Sequence, residues 1–518
     1  MDFTSVVLIQ IVVFFCVVLL LPTAKTYGSI KLSAITLLVI VGISWYLVPQ
    51  QTAAISVSLW LLLILFPLLC LRQLQSLVAQ NRYSLASKWA SWIRWIIPSD
   101  GMGTYHHLLG GIALTQAGEI DRGEEILHRY QHPDRRLDRS AIALFYRSLN
   151  RWADYLEWVE GWLTPAQIVQ EGGVVLAYYI RALGETGNRS RLLHAIGRWD
   201  STSDRGQELL LLRLYALAFC GRTELVTELA TAFPLLPTPE WQQFWIGTAE
   251  LVAGNADAAR AKLLDLQQYS TIVALQPDLA WRLTHPLPDA TSLSQTDREL
   301  LARLEVASRQ ELQHRTTIPD RAHTPATTWL VWINIAMFAI GAILQLSPRW
   351  RGLNLLELGG LIAPLVLAGE WWRLFTANFL HAGILHLAMN MLGLSYLGKF
   401  VEYRLGTVRF IIAYLFTGIG AMAMVTYIDL LTQVPKITIG ASGAIMGLLG
   451  IMGAIHFLGW QIGKATSAAR EFRVVMFAVG WQLVFDLTNG HTSVVGHFSG
   501  LALGFVVGLP LVLSTSKK

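Results

Sequence analysis

Apolar runs long enough to cross a bilayer recur along this chain in two groups, separated by a long stretch that contains none. The first group falls at roughly 4–22, 32–48 and 53–71, broken by the polar stretches TAKTYGSIK and PQQT. A spanning helix needs about 20 mainly apolar residues, so residues 1–71 are expected to form a membrane anchor of three helices. A cleaved signal peptide is the rival for the first run, but the leader carries Asp2 rather than a lysine or arginine and the apolar core is too long for an h-region. The second group, at roughly 327–346, 383–398, 407–427, 440–458, 472–486 and 494–513, predicts a membrane domain of six spans over 327–514, with a short cytosolic tail at 515–518.

Over residues 72–316 charges become frequent and apolar positions recur with helical period, as in LLLLRLYALAF. Turn-forming residues fall at Gly118, Asn150, Gly187, Gly221 and Gly254, the last two steps being 34 and 33 residues. That is the period of tetratricopeptide (TPR) helix pairs. LTQAGEIDRGEEIL, GETGNRSRLL, FCGRTELVTELA and VAGNADAARAKL share this rhythm without the full TPR pattern. The expectation is a soluble, TPR-like helical domain, with an irregular helical bundle as the other reading; stacked helix pairs suit the binding of a protein partner. IPDRAHTPATT reads as a linker, placed at 317–326. The fold class expected is therefore all-α, a polytopic membrane protein with an appended helical domain.

Composition agrees, with 53% of residues apolar and 14% charged. Charge adds topology. With six crossings in the second group, Lys399, Arg404, Arg409, Lys464, Arg470, Arg473, Lys517 and Lys518 fall on one side, and Lys25, Lys31, Arg72, Arg82 and Lys88 fall there too. The positive-inside rule makes that side cytosolic, which places the N-terminus outside and the helical domain in the cytosol; a bacterial plasma membrane is the expected setting. The long loop 347–382 dissents with Arg349, Arg351 and Arg373, although it also holds Glu357 and Glu370. Loop charges thus account for the net +5, and no nucleic-acid-binding motif accompanies them. Cys16, Cys70 and Cys220 have no metal-ligand or disulfide spacing, HExxH is absent, and His381 and His386 lie five apart without a carboxylate beside them. Neither a metal nor a cofactor is expected.

Polar side chains inside spans are costly and mark function by default. Ser442 opens the fourth span of the second group, His497 stands near the start of the sixth, and His386 and Asn390 share the second in HAGILHLAMNM. Six crossings bring all four towards the outer side. Glycines indicate which helices touch: Gly496, Gly500, Gly504 and Gly508 recur every fourth residue in the sixth span, and the fourth answers with Gly443, Gly447, Gly450 and Gly453. Such stripes let helix backbones approach closely, and Ser442 and His497 flank them. A serine at a helix N-terminus, set among Gly440, Gly443 and Gly447, can act as a nucleophile when a neutral imidazole takes its proton. His386 and Asn390, four apart on one helical face, can both donate hydrogen bonds to an acyl oxygen together with the Ser442 N–H. Taken singly, each residue also has a structural reading, as packing glue or a hydrogen-bonded buried side chain.

GEWWRLFTANFLHAGILHLAMNMLGL (369–394), VEYRLG (401–406), GASGAIMGLLG (440–450) and GHFSGLALG (496–504) resemble, in order and spacing, the motifs of rhomboid intramembrane serine proteases. The resemblance covers about 190 C-terminal residues. It implies Ser442 as nucleophile and His497 as base in a dyad without a carboxylate, with His386 and Asn390 in the oxyanion hole. It also implies structural roles for His381, Trp372, Arg373, Glu402 and Arg404, close packing at Gly440, Gly443, Gly500 and Gly504, and transmembrane proteins as substrates. Two positions depart from the family pattern: Met446 stands where an aromatic commonly lies beneath the imidazole, and Ser499 where a glycine is usual. The alternatives are a catalytically inactive rhomboid-like scaffold that recruits partners through its helical domain and, behind it, a transporter, disfavoured by the lack of a clear repeat among the spans.

Overall fold

A computed structural model describes residues 3–21, 28–97, 101–129, 136–200, 206–233, 235–236, 238–287, 293–314, 323–346, 354–489 and 492–515. Asp2, Lys25, Arg349, Arg351, linker residues 317–322 and tail residues 516–518, including Lys517 and Lys518, lie outside this set. Among the described residues all regular structure is helical, apart from one isolated antiparallel bridge between Leu361 and Thr438. The chain divides into two compact units, Met1–Gln313 and His314–Lys518.

The first unit opens with α1 (Phe3–Leu20), α2 (Gly28–Leu47) and α3 (Thr52–Ala79), which bury Val12, Cys16, Leu37, Val41, Ala53 and Ile64 against one another. α3 is longer than the apolar run that predicted it and passes through a π turn at Leu61–Leu65. After Tyr83–Ile93 come five antiparallel helix pairs, from Met102–Gln116 with Ile120–Arg129 to Pro239–Val252 with Ala256–Tyr269. Gly118, Asn150, Gly187, Gly221 and Gly254, the five turn residues expected, each sit between the members of a pair with φ between 53° and 95°. This left-handed region is open to glycine and tolerated by asparagine.

The pairs enclose an aromatic core, within which the helix Gln276–Thr284 contributes charge. Asp278 pairs with Arg147 at 3.1 Å and also with Arg181, while Glu185 accepts from Arg282 at 2.6 Å and Arg181 at 3.2 Å. Arg181 lies over the Trp152 ring, 4.6 Å from its centroid. Buried charges of this kind persist because each has a partner.

The second unit holds α4 (Pro325–Leu346), α5 (Ile384–Leu405), α6 (Thr407–Thr432), α7 (Ser442–Gln461), α8 (Thr466–Thr488) and α9 (Val494–Thr515). Each of the nine expected spans lies on a helix, although several helices run past the expected edges, α8 among them, which begins at Thr466. Pro325 and Ala326, assigned to the linker, belong to α4, as suits proline at a helix start. The short second span is extended by a π turn at Leu394–Gly398 and ends at Leu405. Among the described residues seven helices are long and apolar enough to cross a membrane, making this an integral multi-pass protein. The exceptions are α1, whose apolar stretch Thr4–Leu20 is short, and α8, which carries Arg470, Glu471, Arg473 and Asp486.

α7 is the central helix: its apolar window is 78% buried, against 17–44% for α4, α5, α6 and α9. Glycine explains how it is surrounded. A Cβ at Gly500 would run into the Gly443 carbonyl, one at Gly504 into the Gly447 carbonyl, and one at Gly450 into the Leu501 carbonyl. α7 and α9 therefore touch backbone to backbone, an approach that any side chain at these positions would prevent. The α7 glycines serve α6 as well: a Cβ on Gly443 would meet Ala421 and one on Gly447 would meet Thr417. Gly453 faces Val475 and Phe505 at ordinary distances, and Gly496 lies against Ser493 and Val425.

Candidate active site

Ser442 is the first residue of α7, where the leading N–H groups of the helix have no intrahelical acceptor. The chain reaches it through Gly440, whose φ of 120° excludes other residue types without strain. This approach is anchored twice: Thr438 exchanges backbone hydrogen bonds of 3.0 and 3.1 Å with Leu361, and the Gly440 N–H donates to Ala377 O at 2.9 Å.

The loop that supplies these anchors is held by Arg373. Its guanidinium donates to Leu356 O at 2.5 Å, Gly360 O at 2.8 Å and the Glu370 carboxylate at 2.6 Å, and lies 4.6 Å from the Trp372 ring centroid. At the other end of the unit the Glu402 carboxylate accepts from the N–H groups of Ala326 (3.0 Å) and Thr327 (2.8 Å) and from the hydroxyls of Thr327 (2.8 Å) and Thr407 (2.9 Å). A carboxylate there satisfies orphan N–H groups at the start of α4 and complements the helix dipole. Arg404 is half-buried two residues further along.

His497, four residues into α9 and buried, places Nε2 2.7 Å from Ser442 Oγ. The glycine contacts of α7 and α9 set this distance. His386 and Asn390 occupy one face near the start of α5 and converge on the same approach: a Cβ on Gly440 would stand 2.8 Å from His386 Nε2 and 3.6 Å from Asn390 Nδ2. Asn390 is buried, and its Nδ2 has no hydrogen-bond partner among the described residues. His381 packs edge-on against His386, with ring centroids 5.1 Å apart. Met446 is buried in the core one turn below Ser442.

The expected bare dyad does not describe the geometry. Asp486, near the C-terminal end of α8, has both carboxylate oxygens within reach of His497 Nδ1, at 2.8 and 2.9 Å, and Gln482 one turn earlier donates to the same carboxylate at 2.9 Å. Asp486 was legible in principle, being an acidic residue inside an apolar run at the depth of His497. Neither the glycine pattern nor the family motifs include it. Ser442, His497, Asp486, His386 and Asn390 all gather at one end of the six helices, while Lys399, Arg404, Arg409, Lys464, Arg470 and Arg473 lie at or near the helix ends opposite.

The Rhomboid domain model matches residues 368–514. A RHOMBOID-like protein 4 from Arabidopsis thaliana is 34% identical over 164 residues, 31% of this chain and 39% of that protein. Rhomboid-like protease 3 of Toxoplasma gondii is 29% identical over 38% of this chain and 73% of its own length. A putative rhomboid protease of Bacillus subtilis, YdcA, is 30% identical over 29% of this chain and 72% of its own length. This chain spans 39% and 50% of the lengths of the first two plant relatives it matches. Relatives thus occur in plants, an apicomplexan and a bacterium, so kinship does not single out the bacterial membrane expected from the sequence.

Proposed function

The chain belongs to the rhomboid family, and from that premise we propose that it is an intramembrane serine endopeptidase that cleaves transmembrane-anchored proteins near the outer membrane face. The observation that carries the reading is the 2.7 Å contact between Ser442 Oγ and His497 Nε2. In the reaction Nε2 accepts the Ser442 proton as Oγ bonds to the scissile carbonyl carbon and the carbonyl electron pair moves to oxygen. Asn390 Nδ2, which has no hydrogen-bond partner among the described residues, His386 Nε2 and the Ser442 N–H then stabilise the oxyanion. The imidazolium next delivers its proton to the amide nitrogen as the C–N bond breaks, and water deprotonated by the same nitrogen hydrolyses the acyl-enzyme.

An unwound substrate backbone in lipid costs several kcal/mol per unsatisfied group. Good substrates should therefore carry helix-breaking glycine or proline close to the cleaved bond. The clustering of basic residues at the end opposite the site supports an outward-facing centre and a cytosolic helical domain. That domain is proposed to hold a protein partner. The rival reading, a non-catalytic rhomboid-like scaffold, leaves the Ser442–His497 contact without a purpose. A fluorophosphonate probe separates the two: covalent modification of Ser442, lost in His497→Ala, is expected of the protease, and an unmodified Ser442 in folded protein of the scaffold.

A further inference from the structure

Resting on the protease reading of Ser442, we propose that Asp486 is a positioning residue that completes a Ser442–His497–Asp486 triad, with Gln482 holding the carboxylate in place. The setting of Asp486 argues for a specific role. Its side chain is 3% exposed, inside a unit whose helices cross a membrane, and a carboxylate survives there only with partners. α8 itself buries only Ala468, Val475 and Asp486. The last turns of α8 therefore meet the site chiefly through this carboxylate.

Two consequences follow for the imidazole. A neutral histidine acts as base at Nε2 only when its single hydrogen is on Nδ1, and the tautomer is set by the hydrogen bond made by the other nitrogen. With both Asp486 oxygens within 2.9 Å of Nδ1, the Nδ1–H form is selected and the Nε2 lone pair is left facing Ser442 Oγ at 2.7 Å. The same carboxylate fixes the ring about its Cβ–Cγ bond and stabilises the imidazolium formed when Ser442 gives up its proton; Asp486 itself takes no proton. Gln482 serves the carboxylate. Its Nε2 donates to Asp486 Oδ1 at 2.9 Å, shorter than its 3.3 Å contact with His497 Nδ1.

The test uses full-length protein in proteoliposomes with a transmembrane reporter. Asp486→Asn should lower kcat at least about tenfold, towards the order of 10⁴ that follows neutralisation of a triad carboxylate, with KM unchanged. Fluorophosphonate modification of Ser442 should slow by the same factor, and Asp486→Glu should recover part of the rate. A merely structural role would instead alter KM and thermal stability together with kcat. In nitrogen-15 histidine-labelled wild-type protein, with His497 assigned by difference from His497→Gln, the hydrogen should reside on Nδ1. That measurement decides the matter even where Asp486→Asn does not fold. A kcat for Asp486→Asn within about twofold of wild type, or an Nε2–H tautomer in the wild type, would overturn the triad. Loss of the triad is distinguishable from loss of the protease reading. In the first case cleavage still depends on Ser442 but not on Asp486; in the second, Ser442→Ala cleaves as well as wild type.

Discussion

At the scale of single residues, the site depends on donors and acceptors whose partners are either in place or conspicuously missing. Asn390 is such a donor: it is buried, and its Nδ2 has no hydrogen-bond partner among the described residues, which leaves it available to an acyl oxygen. Asn390→Ala should leave thermal unfolding nearly unchanged, yet cost on the order of 10²–10³ in kcat as a lost oxyanion donor; melting curves and reporter kinetics on one preparation check both. A large fall in stability would assign Asn390 to packing instead. Asp278 is the opposite case, a buried carboxylate shared by Arg147 and Arg181. Asp278→Ala leaves two buried guanidinium groups short of a counter-charge and should destabilise the helical domain by about 3–5 kcal/mol, measurable by chemical denaturation.

At the scale of elements, the contact between α7 and α9 turns a sequence pattern into a catalytic distance. Gly504→Val inserts a side chain where the Gly447 carbonyl already lies. It should destabilise the second unit by about 1–3 kcal/mol or more and separate Ser442 from His497, so that fluorophosphonate modification falls although both catalytic side chains are intact. Wild-type modification by a stably folded Gly504→Val protein would mean that the helices do not set the distance. This element pair was legible because glycines spaced by one helical turn have few uses other than close approach. The five loop turns were legible for a related reason, since glycine and asparagine stand where φ is positive. Asp486 was not recovered. Its partner is eleven residues away across a loop, and neither helical period nor glycine spacing connects the two. The extent of α5 was also missed, because Lys399, Glu402 and Arg404 end the apolar run while the helix continues to Leu405, with Glu402 bonding the start of α4.

At the scale of the whole molecule, the proposed catalytic groups all belong to the unit His314–Lys518, and the helix pairs belong to the other. Truncation to the second unit should leave peptide-bond cleavage of a transmembrane reporter intact, with any loss falling on substrate choice or on regulation by a partner. Abolition of cleavage in a folded truncation would make the first unit part of the catalytic machinery.

If Ser442 is the nucleophile of an intramembrane protease, cleavage by the reconstituted protein depends on its hydroxyl. Purified wild-type protein and Ser442→Ala are placed in proteoliposomes with a transmembrane reporter bearing glycine or proline near one end of its span, and the products are identified by mass spectrometry. Wild type should cut within or just outside that end and Ser442→Ala should not; equal cleavage by both proteins would rule out Ser442 as the nucleophile.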